Sequence, residues 1–160
     1  MKKTVETSFA DLKMLVGAEI GCSLWVKISQ QMINSFADLT DDHQFIHTDS
    51  ARSQAETEFN GTIAHGFLTL SLLTRLMEEA CPRIQGLTTS INYGFDKIRF
   101  ISPLPSDGLI RGCFLLKSLD EIAPNEVTLH YHVRVDLKNS NRPVLIAEWL
   151  VRQLFKDDII

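Results

Sequence analysis

The chain has 160 residues, 44% apolar and 22% charged, with a formal net charge of −4; this is the usage of one globular domain with a real core, not of a disordered or low-complexity segment. Its scattered Lys and Arg lack the clustered footprint of a nucleic-acid binder. No run approaches the ~20 apolar residues that span a bilayer, and Glu6 and Asp11 interrupt what would have to be the apolar stretch of a signal peptide.

Residues 1–21 read as a short helical entry, SFADLKMLV closing at Gly17 and Gly21, and CSLWVKI over 22–28 reads as a short strand. Ser29 then stands where an N-cap belongs. In QQMINSFADLT the apolar Met32, Ile33, Phe36 and Leu39 recur at three and four, which predicts a helix with one buried face ending near Thr40. Residues 48–64 are polar and end on Asn60-Gly61, a loop with a turn signal. GFLTLSLLTRLMEEA, from Gly66, is apolar nearly all round until its last turns, the pattern of a buried helix, and Pro82 ends it.

After Gly86 the period changes to two. SINYGFDKIRFI, GLIRGCFLLKSL, EVTLHYHVRVDL and PVLIAEWLVRQLF are strands, broken by the turn-rich SPLPSD, DEIAPN and KNSNR. In the third, Val127, Leu129, Tyr131, Val133 and Val135 face one way, and Thr128, His130, His132 and Arg134 the other. That alternation marks an antiparallel sheet with one buried face. A long buried helix followed by long antiparallel strands gives an α+β class, a sheet wrapped around a central helix. Cys22, Cys81 and Cys113 are widely spaced, odd in number and without a CxxC. They fit neither a disulfide framework nor a zinc site, and a reducing cytoplasm is the simplest home.

Two segments carry chemistry: FADLTDDHQFIHTDS at 36–50 and IAHGF at 63–67. Asp42 and His47 are five apart, with apolar Phe45 and Ile46 between them. A carboxylate and an imidazole brought together in an apolar cleft can hold one water and move its protons; the same residues would also serve as a solvated helix end. His65-Gly66 opens the buried helix, where unpaired N–H groups at the positive end of the dipole suit a developing enolate oxygen. Gly66 would equally permit a tight turn. His43 and His47 lie at i, i+4 with Asp42 alongside, but QFI between them lacks the glutamate of HExxH, so no metal is expected. Ser71 and Thr74 have no GxSxG elbow, and no cysteine has a signature of activation. His130 and His132 read as solvent-facing or interface residues.

These segments resemble the MaoC-like hydratase family, the (R)-specific enoyl-CoA hydratases and dehydratases of the hot-dog fold, and within it the branch related to nodulation protein N. The family pattern runs S/T-G-D-x-N-P-L/I-H and then apolar-H-G-apolar; here it reads Thr40-Asp41-Asp42-His43-Gln44-Phe45-Ile46-His47 and Ile63-Ala64-His65-Gly66-Phe67. Asn92-Tyr93-Gly94 and Lys97-Ile98-Arg99-Phe100 continue the likeness, which covers about residues 25–155. Asp41 stands in place of the usual glycine and Gln44-Phe45 in place of Asn-Pro.

The resemblance implies a single hot-dog domain acting on acyl thioesters, with Asp42 and His47 as the catalytic pair and the Gly66 N–H as the oxyanion hole. His65, Phe67 and Thr74 are then expected at the substrate. Lys97 and Arg99, two apart on a strand, share a face on which they would meet coenzyme A phosphates, or are simply two surface charges. It further implies no metal or redox cofactor, coenzyme A as part of the substrate, and a homodimer with sites near the interface; neither a nucleic acid nor a membrane is an expected partner. A hot-dog thioesterase and a non-catalytic acyl-thioester binder are the competing readings.

Overall fold

Period-two alternation sets the architecture. In the computed structural model, which describes residues 6–158, the elements run β1 (Glu6–Thr7), α1 (Phe9–Met14), β2 (Glu19–Cys22), β3 (Val26–Lys27), α2 (Gln30–Thr40), α3 (Phe45–Thr48), α4 (Ser50–Glu56), α5 (Gly66–Ser71), α6 (Leu73–Ala80), β4 (Arg83–Ile84), β5 (Leu87–Phe100), β6 (Leu109–Ala123), β7 (Glu126–Leu137) and β8 (Leu145–Phe155). The first five residues of the expected helical entry lie outside the described residues. The main sheet is antiparallel with order β2-β6-β7-β8-β5, and β3 also pairs with β6. A short parallel pair, β1 with β4, stands apart from it.

Every odd residue of β7 from Val127 to Val135 is buried, and so are Leu145, Ala147, Trp149 and Val151 of β8. With Phe114 and Leu116 of β6 they form one core with Leu73 and Leu76 of the helical layer. Burying a side chain of this size contributes about 1.5–3 kcal/mol, so this face holds the sheet to the helices. The helix comes close because β6 carries Gly112, where an added Cβ would lie 3.1 Å from Leu76 Cβ.

The central helix departs from expectation in two ways. It is two segments meeting at Leu72, because the Ser71 hydroxyl donates to the Leu68 carbonyl at 2.8 Å. That carbonyl is the one an unbroken helix would offer to Leu72 N–H, which turns instead to Thr69 O at 3.3 Å. Nor is it buried all round. Leu68, Thr69, Leu73 and Leu76 are buried, but Phe67 is 65% exposed, because one sheet covers only one side of the helix. Phe100, on the inner face of edge strand β5, is exposed beside it, whereas Ile91, opposite Arg152, and Tyr93, whose ring lies under the Arg152 guanidinium, are exposed on the outer face of that strand.

The Ser29 side chain caps α2 by accepting from Met32 N–H. The face expected to be buried is centred on Ile33 and Ala37, whereas Leu39, in the last turn, is exposed. The polar stretch after Thr48, read as a loop, holds α4. Asp49 caps it by accepting from Arg52 N–H at 2.9 Å, and only Ser53 is buried, so no apolar period announces this helix. The 22–28 run is likewise two strands, β2 and β3, not one.

The cysteine reading needs correction as well. Cys22 and Cys113 are joined as a disulfide. They are opposed partners in the β2–β6 register, brought together across a sequence separation of 91. Sequence spacing carries no sign of such a contact, since only sheet register creates it.

α2 ends at Asp41, which adopts a left-handed conformation (φ 57°, ψ 26°) and whose N–H donates to Ala37 O. The position therefore asks for the glycine that Asp41 replaces, and Asp is among the few side chains that tolerate it. Asp41→Gly is expected to raise unfolding stability in urea by up to about 1 kcal/mol, and Asp41→Val to lower it by about 1–2 kcal/mol. Equal stability of the two variants would contradict the assignment.

Candidate functional site

The left-handed turn at Asp41 releases the chain from α2 so that Asp42 follows at its end and α3 carries His47 inward. Asp42 keeps a half-exposed side chain, while His47 and His65 are buried, at 7% and 3% exposure. Ligand atoms of Asp42, His47 and His65 all lie within 4.8 Å of one another. The structure thus joins the two segments that stood apart in the sequence.

Each segment's histidine is held by the other segment's backbone. His47 Nδ1 lies 2.7 Å from Ile63 O, and His65 Nε2 lies 3.0 Å from Asp42 O. A carbonyl only accepts, so each of these ring nitrogens carries the proton. In the neutral form His47 therefore presents Nε2 as a lone pair, and His65 keeps its lone pair on Nδ1, a buried atom without a hydrogen-bond partner among the described residues. The rings stack, with centroids 3.7 Å apart and 25° between planes, and Phe36 packs on His65. Ile63 N–H closes the arrangement by donating to Ile46 O at 3.0 Å.

Gln30, the first residue of α2, braces the segments from behind. Its amide nitrogen donates to His47 O at 2.7 Å, and its amide oxygen accepts from the Thr62 hydroxyl. Sequence reasoning gave Gln30 no role. Its only signal there is a helix-start position, which says nothing of a contact 17 residues away.

His47 faces a cleft of about 360 Å³ that Gly66, Phe67, Thr69, Phe100 and Ser102 also line. Gly66 has ordinary backbone angles, so it is not there to make a left-handed turn. What it permits is close approach: a Cβ would sit 2.9 Å from the Phe100 ring. Its N–H opens α5 and has no hydrogen-bond partner among the described residues, whereas Leu68 and Thr69 N–H both return to His65 O.

The remaining candidates divide between the cleft and places outside it. Phe67 lies at the cleft with its ring edge toward Phe100. Thr74 sits on α6 outside the cleft, with Asn92 Nδ2 at 3.4 Å. Lys97 and Arg99 do share a face, but they oppose Glu148 and Ile146 of β8 and so point away from the helices. Phe95, Ile98 and Phe100 take the inner face. His43 turns outward, 3.8 Å from both Asp38 and Asp41 carboxylates. His130 and His132 pair with Asp120 and Glu148.

Asp42, His47 and His65 supply ligand-type atoms, but stacked rings keep their in-plane lone pairs in two nearly parallel planes about 3.7 Å apart. A tetrahedral ion needs them to converge, so the trio fits a metal poorly. Nucleophilic chemistry has no better footing. Burial pushes the Cys81 thiol up to about 12, which keeps it protonated.

Burial lowers the pKa of His47 below its ordinary 6.5; the Ile63 carbonyl opposes this, neighbouring His65 adds to it and Asp42 opposes it. Between that lowered value and 6.5 the unfolded chain binds more protons than the folded one, so stability falls as pH drops through this window. Nitrogen-15 NMR at neutral pH is expected to show the Nδ1–H tautomer at His47 and the Nε2–H tautomer at His65, with His47 titrating below 6.5. A His47 that is protonated at pH 7 would contradict this geometry.

Residues 11–134 match the MaoC like domain family. Nodulation protein N of Rhizobium meliloti (strain 1021) is 46% identical over 145 residues, which is 91% of this chain and 90% of that protein. The 3-hydroxyacyl-thioester dehydratase Z of Mycobacterium tuberculosis is 39% identical over 91% of this chain and 95% of its own. Among solved structures, the (R)-hydratase of A. caviae involved in PHA biosynthesis superposes with a TM-score of 0.67 at 24% identity, covering 85% of this chain and 94% of that one. The MaoC-like dehydratase of Rhodospirillum rubrum gives 0.72 at 18% identity, covering 88% and 93%. The fold is that of the hot-dog dehydratases.

Proposed function

The chain belongs to the MaoC-like dehydratase family, and on that premise we propose that it is an (R)-specific enoyl-CoA hydratase and 3-hydroxyacyl-CoA dehydratase, adding water reversibly and syn to trans-2-enoyl thioesters. The observation that carries the reading is the grouping of Asp42 and His47 within 4.8 Å, beside a cleft that holds both His47 and the unpaired Gly66 N–H. Two hydrogen bonds of about 2.8 Å through one bridging water span a gap of this size.

Asp42 takes the proton that this water gives up as its oxygen attacks C3. His47, with Nε2 as a lone pair, accepts a hydrogen bond that orients the water, and the pair returns a proton to C2 on the same face. The thioester carbonyl points at Gly66 N–H, which stabilises the negative charge that builds on the oxygen. His65 acts through the other two: its Nε2–H holds the Asp42 backbone and its ring supports His47. It is thus a positioning residue. Coenzyme A is the substrate's own carrier, and the chemistry calls on no metal or redox group.

A homodimer completes the reading. The 14-residue edge strand β5 and the open side of α5 present Phe100 and Phe67 to solvent. A second copy covering them would satisfy the unpaired strand edge and close the cleft against water. In that setting Lys97 and Arg99, on the outer face of β5, would meet the coenzyme A phosphates.

With crotonyl-CoA and a longer enoyl-CoA, loss of the enoyl-thioester absorbance is expected in the native protein. Asp42→Asn and His47→Gln should each lower turnover by roughly two to four orders of magnitude with unchanged circular dichroism. Near-native turnover in either variant would remove that residue from the mechanism. Thiol release without hydration would point to a thioesterase instead.

A further inference from the structure

The cleft beside His47 is walled mostly by apolar groups, among them Ile63, Ala64, Phe67, Phe100, Leu104 and Val144. Two hydroxyl side chains, Thr69 and Ser102, interrupt that wall. They differ in what their protons do. The Ser102 hydroxyl donates to Pro143 O at 2.6 Å and has no proton left to give. The Thr69 hydroxyl has no hydrogen-bond partner among the described residues, although the residue is only 3% exposed.

A hydroxyl inside a helix ordinarily bonds a carbonyl three or four residues back. Thr40 does so on Phe36 O at 2.8 Å, Thr57 on Ser53 O at 2.6 Å and Ser71 on Leu68 O at 2.8 Å. For Thr69 the carbonyl four residues back is His65 O, which already accepts Leu68 N–H at 3.1 Å and Thr69 N–H at 3.3 Å. Two donors occupy its two lone pairs, and the hydroxyl is left over. Nor is the oxygen walled off. Among the described residues, the sealed side-chain atoms without a partner are His65 Nδ1, Glu79 Oε2, Trp149 Nε1 and Gln153 Oε1, and Thr69 Oγ1 is not one of them. It keeps accessible surface, and that surface opens on the cleft. Val has the same shape and would leave nothing unpaired, so this hydroxyl is satisfied only by what enters the cleft.

Its place on the helix selects the part of the occupant that it meets. Thr69 follows Gly66 by three residues, so the two share one face of α5, and helical side chains lean back over the turn before them. The hydroxyl therefore stands over the turn that Gly66 begins, on the side where the thioester carbonyl is received. A carbonyl oxygen has two lone pairs, and Gly66 N–H uses one. We propose that Thr69 donates the second hydrogen bond to the thioester carbonyl oxygen and is thereby a further catalytic residue. No proton changes hands: the hydroxyl keeps its hydrogen, and its dipole stabilises the charge that builds on the enolate oxygen. The proposal rests on the hydratase reading of the cleft, to which it adds a side-chain donor for the acyl thioester.

Infrared difference spectroscopy with butyryl-CoA labelled with carbon-13 at the carbonyl reads this contact without turnover, because a saturated thioester has no double bond to hydrate. The native protein is compared with Thr69→Val, which keeps the shape, and Thr69→Ser, which keeps the hydroxyl. A hydrogen bond weakens the carbonyl bond, so the bound stretch should lie at a lower wavenumber in the native protein than in Thr69→Val, with Thr69→Ser near the native value. With crotonyl-CoA, Thr69→Val should lower kcat by about a hundredfold at little changed KM, and Thr69→Ser should recover most of that loss. Thr69→Ala replaces Thr69→Val in both measurements if circular dichroism shows the latter misfolded. The same stretch in native protein and Thr69→Val, a stretch that moves equally in both variants, or no saturable binding of butyryl-CoA would each overturn the proposal. A carbonyl shift that depends on Thr69, in a native protein that does not hydrate crotonyl-CoA, would sink the hydratase reading and leave the carbonyl contact standing. Hydration without that shift would do the reverse.

Discussion

The site depends on a reciprocal exchange of hydrogen bonds between two short segments. His47 donates to the backbone of the 63–67 segment, at Ile63, and His65 donates to the backbone of the 36–50 segment, at Asp42. Backbone carbonyls cannot titrate or rotate away, so these bonds fix both tautomers and both ring orientations. The stack between the rings then follows, and so does the direction of the His47 lone pair. Burial favours the neutral form of His47, which is the form a water-orienting acceptor needs. The rest of the fold serves this exchange: Gln30 braces His47 O, and the Phe100 ring seats itself against Gly66.

Local features were largely legible in the sequence. The Ser29 cap, the end of α2 at Thr40 and the alternation of β7 all follow from side-chain chemistry within a few residues. Asp41 could be read as a departure from the family pattern, and its left-handed backbone gives the physical reason why glycine is usual there. Asp42 and His47 were legible as a candidate pair because the intervening residues are apolar.

What was not legible depends on contacts between distant segments. The Cys22–Cys113 bond exists because of β2–β6 register, the bracing by Gln30 because α2 starts behind α3, and the break at Leu72 because one serine hydroxyl competes for a carbonyl. His65 was expected at the substrate; its packing against His47 required the fold to be seen. The outward turn of Lys97 and Arg99 depends on the register shift between Phe95 and Lys97, which no two-residue spacing reveals.

The stereochemistry of addition tests the central claim most directly, because one pair of groups on one side of the substrate dictates it. With crotonyl-CoA turned over in deuterated water, the product read by proton NMR after chiral derivatisation should be (3R)-hydroxybutyryl-CoA with deuterium at C2 added to the same face as the oxygen. A 3S product, anti addition, or free coenzyme A without a hydroxyacyl product would contradict the account.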